Sequence, residues 1–154
     1  MQSLRSSRTW FSCYAVIAIA LLAGNAQANN GREFSGYFDL SHILEQGDLV
    51  QVTLHLKLFN HGDSDARSVI IALMDSSPAL SVRGNFQPVK VWKAGHFIEI
   101  SQQFSIPKYE FNEWMQAPVQ PNLLIFFQDA KGKTLQRGAQ VSRRPWVRVA
   151  EEGQ

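Results

Sequence analysis

Cysteine is almost absent: Cys13 is the only one in 154 residues, and it sits at the edge of the first apolar stretch. A disulfide framework, a Cys-ligated zinc and a thiolate nucleophile are therefore excluded from everything that follows it. Charge is also sparse, at 18% of residues, and no long amphipathic helical pattern occurs, which argues against an α/β fold. A Gly-x-Ser-x-Gly nucleophile elbow and a glycine-rich phosphate loop are both missing. So are internal repeats and low-complexity segments. These absences remove the common enzymatic signatures and leave a chain of one ordinary globular domain.

What is present begins with a leader. Arg5 and Arg8 precede an apolar run from Tyr14 to Ala23, and Ala26-Gln27-Ala28 follows as an A-x-A cleavage signal. The run is too short to span a bilayer, so residues 1–28 read as a secretory signal peptide. Cys13 precedes the run instead of following it, which argues against a lipid anchor. Cleavage after Ala28 leaves 126 of the 154 residues. Two of the 15 basic residues leave with the leader and all 13 acidic residues stay. The mature net charge is near zero, which lacks the basic surplus of a general nucleic-acid binder. The expected location is periplasmic or secreted, with no transmembrane segment in the mature form.

Beyond the leader the periodicity is that of strands. In Leu49 to Phe59, Val50, Val52, Leu54, Leu56 and Leu58 alternate with polar residues, the pattern of a half-buried strand. His96 to Ile106 repeats it with Ile98, Ile100, Phe104 and Ile106. Val69 to Met74 and Leu123 to Phe127 are unbroken apolar rows, which predict cover on both faces. Phe34 to Leu40 and Thr134 to Val141 supply a first and a last strand, and Leu80 to Trp92 is cut into short pieces by Gly84, Asn85 and Pro88. About seven short strands separated by turns predict an all-β, two-sheet antiparallel sandwich over residues 29–142, with 143–154 as a basic and aromatic tail. Leu54, Leu56, Ile71, Ile98, Ile100 and Ile125 are its expected core, with Thr53, Lys57 and Ser101 facing out.

The run Val50-x-Val52-x-Leu54-x-Leu56-x-Leu58-x-Asn60-x-Gly62, followed by Asp65-Ala66-x-x-Val69-x-Ile71-x-Leu73, resembles bacterial extracytoplasmic immunoglobulin-like domains of the CARDB type. A later turn glycine, Gly95, leads into another alternating strand in the same manner. The resemblance covers most of Phe34 to Val141 and implies an immunoglobulin-like sandwich with a role in binding or adhesion. The Cys pair and intervening Trp of antibody domains are missing.

Several candidate sites follow from the residues. If the two continuous rows are neighbours, Ile70, Ala72 and Met74 share an outer apolar face with residues of the other row, and something must cover it. The Lys108–Pro121 segment carries Tyr109, Phe111 and Trp114 and is the expected lid, with Trp114 as its anchor. The alternative is that these aromatics meet a partner. Arg143, Arg144 and Trp146 form a second candidate docking string for a protein or an envelope polymer. Glu110 and Glu113 stand at i,i+3, read as a solvated helical turn beside Trp114. His55, His61 and His96, with Met74, form the alternative metal set, although none has the close spacing of ligands. No cofactor is expected. The preferred reading is an exported, non-enzymatic binding module of the cell envelope, with a small periplasmic metal-binding protein as the alternative.

Overall fold

The computed structural model describes residues 33–116 and 118–144; the expected leader and Trp146 lie outside them. The chain is nearly all β. Eight strands run in the order β1 (Phe34–Gln46), β2 (Leu49–Asn60), β3 (Ala66–Met74), β4 (Val82–Asn85), β5 (Val89–Trp92), β6 (Phe97–Pro107), β7 (Asn122–Gln128) and β8 (Thr134–Arg143). One helix, α1 (Lys108–Trp114), stands between β6 and β7. No helix among the described residues is long and apolar enough to cross a membrane.

The strands form one hydrogen-bonded path, β4-β3-β7-β8-β1-β2-β6, with β5 also pairing β3. All ladders are antiparallel but one. The exception arises in β8, which pairs β7 antiparallel through Ala139 and then β1 in parallel from Gln140 to Arg143. That shared strand joins two sets of strands that the periodicity reads as separate sheets. The ends of the path meet around Phe104: its ring lies 5.1 Å from that of Phe86. Gly84 sits under the same ring, where an added Cβ would be 3.0 Å from Phe104.

Alternation explains what fills the interior. Val50, Val52, Leu54, Leu56 and Leu58 of β2 are all buried, while their polar neighbours face out. Ile71 and Ile125 are buried as the pattern requires. Ile98 and Ile100 are only half-buried and pack on the core from its margin, because β6 ends the path and has no strand beyond it there. β1 runs past Leu40 to Gln46, through a bulge between Ser41 and Leu44 at which His42 takes a positive φ of 48°. A second bulge, at Ser68, bends β3.

The two continuous apolar rows are indeed neighbours: Ile70 pairs with Phe126 and Ala72 with Leu124. Leu123, Ile125 and Phe127 point into the core, so Leu124 and Phe126 share the outer face with Ile70, Ala72 and Met74. The expected lid is elsewhere. α1 packs on β2 and β6, and its Phe111 and Trp114 enter the main core. The cause is tethering. α1 follows directly on Pro107, the last residue of β6, and Lys108 N donates to Asp48 O at 2.9 Å, so a seven-residue helix cannot reach the far face. Ile70, Leu124 and Phe126 are left half-buried, shielded by one another. The tail boundary also shifts, since Arg143 belongs to β8 and Arg144 N donates to Phe38 O.

Asn60 closes β2 and ties the loop that follows it to the turn between β5 and β6. It is 1% exposed, its Oδ1 accepts from Gly62 N at 2.8 Å, and its Nδ2 donates to Trp92 O at 3.2 Å. Its backbone receives Gly95 N. Replacing it by alanine keeps the backbone bond but leaves Gly62 N and Trp92 O without their side-chain partners, and about 1–3 kcal/mol of stability should be lost in denaturant titration. A loss below about half a kcal/mol would show that the bonds are dispensable.

Candidate functional site

The sequence places aromatic residues out of phase in three strands, and the fold brings them together. In β1 the inward residues are Phe34, Gly36, Phe38 and Leu40, so Ser35 and Tyr37 point outward. In β2 Phe59 has the outward phase of His55 and Lys57, and in β6 Phe97 has that of Glu99 and Ser101. Register then aligns them. Ser35 lies opposite Phe59 and Phe59 opposite Phe97; Tyr37 lies opposite Lys57 and Lys57 opposite Glu99. On the other side of β1, Ser35 pairs with Gln140 and Tyr37 with Ser142.

The result is an open cavity of about 620 Å³ on the outer face of β8, β1, β2 and β6, lined also by Gln120 and His61. Phe97 and Tyr37 are the exposed rings, at 55% and 49%. Phe59 lies 4.7 Å from the Phe97 ring and 4.5 Å from His61, edge-on to both. The strands approach closely at the floor: a Cβ on Gly36 would stand 2.0 Å from Lys57 O, so only glycine fits. Lys57 Nζ sits 5.2 Å above the Phe97 ring and 2.7 Å from Glu99 Oε1. The Lys57 ammonium donates to Glu99 and holds that carboxyl below its ordinary range. Among the described residues no Asp, Glu, Lys or Arg lines the cavity itself.

Two serine–histidine contacts lie on this face. Ser35 Oγ is 2.6 Å from His61 Nε2, and Ser41 Oγ is 2.6 Å from His55 Nε2. Nucleophilic catalysis also needs an imidazole oriented by a third group and a donor set for the oxyanion. Among the described residues no carboxylate is hydrogen-bonded to either imidazole.

The candidates read from sequence are scattered. Phe111 and Trp114 are buried and cannot meet a partner, whereas Tyr109 is 61% exposed. Arg143 is half-buried with Nη1 3.4 Å from Met115 O, and Arg144 is exposed near Glu99. His55 faces Ser41, His61 borders the cavity, and His96 Nδ1 is 2.9 Å from Ala94 O. Met74 is a buried residue of β3. Those four do not converge, and among the described residues no group of three or more His, Cys, Asp or Glu is placed to hold a metal ion.

Glu110 differs from the expected solvated turn. It is 1% exposed and accepts from Arg83 Nη2 at 2.6 Å. Burial raises its pKa, Arg83 opposes the rise, and Asp75 and Glu113 add to it. Arg83 arrives from β4, 27 residues away, which local spacing does not reveal. Asp75 is held below its ordinary value, chiefly by the Ser77 hydroxyl.

No protein-family model matches the chain, and no curated protein matches it. Among solved structures, a GH20 exo β-N-acetylglucosaminidase from Vibrio harveyi, as its inactive mutant, is 15% identical with a TM-score of 0.43. The same enzyme in complex with N-acetylglucosamine is 17% identical with a TM-score of 0.40. Each match covers 71% of this chain and 18% of the enzyme. A target of the Northeast Structural Genomics Consortium is 7% identical with a TM-score of 0.35, over 82% of this chain and 97% of that one. At these values the likenesses carry neither a family nor an activity.

Proposed function

We propose that this chain is an exported, non-enzymatic binding module of the bacterial cell envelope, built on an immunoglobulin-like sandwich, whose binding face is the outer surface of β8, β1, β2 and β6. The observation that carries the reading is the open cavity with Tyr37 and Phe97 exposed at its wall. Large rings are left in water where a contact will cover them, and aromatic anchors contribute much of the affinity in such contacts. The basic start, apolar run and A-x-A signal support export. The absence of an oriented acid–base pair in the cavity supports a binding role over a catalytic one.

The test is co-sedimentation of the purified protein with washed bacterial envelope fragments. The protein should pellet with them, and Tyr37→Ala combined with Phe97→Ala should reduce the bound fraction at least tenfold at unchanged thermal stability. Equal pelleting of the double variant would remove this face from the function. No pelleting of the parent protein would remove the envelope role.

A further inference from the structure

We infer that the cavity takes a neutral polysaccharide chain, with sugar rings laid on Tyr37 and Phe97. The inference rests on the binding-face reading above and names its ligand class. Three observations point to it. First, charge: among the described residues the lining has no carboxylate, ammonium or guanidinium, and outside it the Lys57 ammonium is paired with Glu99, with Arg144 also near that carboxylate. An anionic polymer or phosphate would find no fixed partner in the cavity.

Second, over the floor of the cavity the available hydrogen-bonding groups are side chains. β1 and β2 each carry a strand on both sides, so their backbone groups are used in ladders. The free edge on this face is that of β6, on the Phe97 side, so a peptide added there as a strand would lie beside the floor formed by β1 and β2 and not on it. What remains are uncharged amides and hydroxyls: Gln120 and Gln140 at one wall and Ser142 between them and Tyr37. Gln120 Oε1 already accepts from Val141 N at 3.2 Å, so its amide nitrogen is held toward a fixed position. Third, the walls combine those groups with exposed aromatic faces in a cavity of about 620 Å³ that opens along the sheet. A pyranose has the matching chemistry, an apolar C–H face bounded by a rim of hydroxyls. An enclosed apolar pocket would select a hydrocarbon; this one is open and mixed.

The experiment is a printed array of neutral and anionic glycans probed with the full chain, followed by affinity electrophoresis in the neutral polysaccharides that score. At least one neutral polysaccharide should retard the protein. Tyr37→Ala and Phe97→Ala should each weaken retardation about tenfold or more, while Tyr109→Ala, on an exposed residue outside the cavity, should leave it unchanged. Retardation should persist as salt is raised from about 50 to about 500 mM, since no ion pair is broken. Failure of every neutral glycan, or binding only to anionic ones with loss at high salt, overturns the inference. If envelope pelleting still depends on Tyr37 and Phe97 in that case, the face binds a different ligand class and the binding-module reading survives. If pelleting is absent as well, both fall.

Discussion

Truncation of Trp114 to alanine should cost about 3–5 kcal/mol of folding free energy, the usual range for a large aromatic removed from a core. The indole is 3% exposed and lies in the main cluster, on a helix that packs against β2 and β6. Its removal leaves a void at the place where the chain leaves β6, and Phe111, one turn earlier, is already buried and cannot fill it. Chemical denaturation should show the loss, and a dye for exposed apolar surface should bind at lower denaturant. The oligomeric state should not change, because the residue is internal. A change within about half a kcal/mol, with loss of a dimer or partner, would mean that α1 is an interface element instead.

The second large effect concerns Glu110. Glu110→Ala should destabilise by about 3–5 kcal/mol, because the Arg83 guanidinium then faces a partly buried site without its counter-charge. Arg83 keeps only 19% of its side-chain surface exposed, and its Nε has no hydrogen-bond partner among the described residues. Replacing both residues, Glu110→Leu with Arg83→Met, should recover most of the loss, since an apolar pair of similar volume avoids the desolvation of two ions. A double variant as unstable as the single one would show that the pair is needed for geometry and not only for charge balance.

The same site predicts a pH dependence. The folded-state pKa of Glu110 is raised above its ordinary 4.5, so between the two values the folded chain binds more protons than the unfolded one. Its contribution to stability therefore falls as pH rises through that window and is greatest on the acid side. Asp75 and Glu99 work in the opposite sense. Their pKa values are lowered, so what they contribute is present above their ordinary values and fades as pH falls. Thermal melts of the parent and Glu110→Gln between about pH 4.5 and pH 7 separate the two effects. The parent should lose stability relative to the variant as pH rises, and parallel curves would refute the assignment.

Strand positions were legible because a half-buried strand writes its environment into every second residue. β2 is the clearest case, with its five inward aliphatics from Val50 to Leu58 all buried. The continuous rows of β3 and β7 marked strands covered on both faces, and the fold pairs them. The proposed binding face left a weaker signal in the same pattern. Tyr37, Phe59 and Phe97 stand in the solvent phase of their strands, and an aromatic in that phase is a mark of contact that alternation alone can reveal. Their convergence was not legible, since it depends on which strands pair and in what register. Ser35, Gln140 and Gln120 join the site from positions up to 105 residues apart in the sequence.

The sequence by itself determined an all-β chain of short strands, the inward and outward phase of most of them, and the turn chemistry around Asn60, because these follow from nearest neighbours along the chain. Only the tertiary structure decided three things. β8 turns from β7 to β1 and makes one path of two strand sets. α1 goes to the core by β6 and not to the outer face of β3 and β7. Arg83 from β4 buries and neutralises Glu110. Each depends on contacts between segments distant in sequence, where the outcome is set by chain tethering, packing and the cost of an unpaired charge, none of which a local pattern encodes.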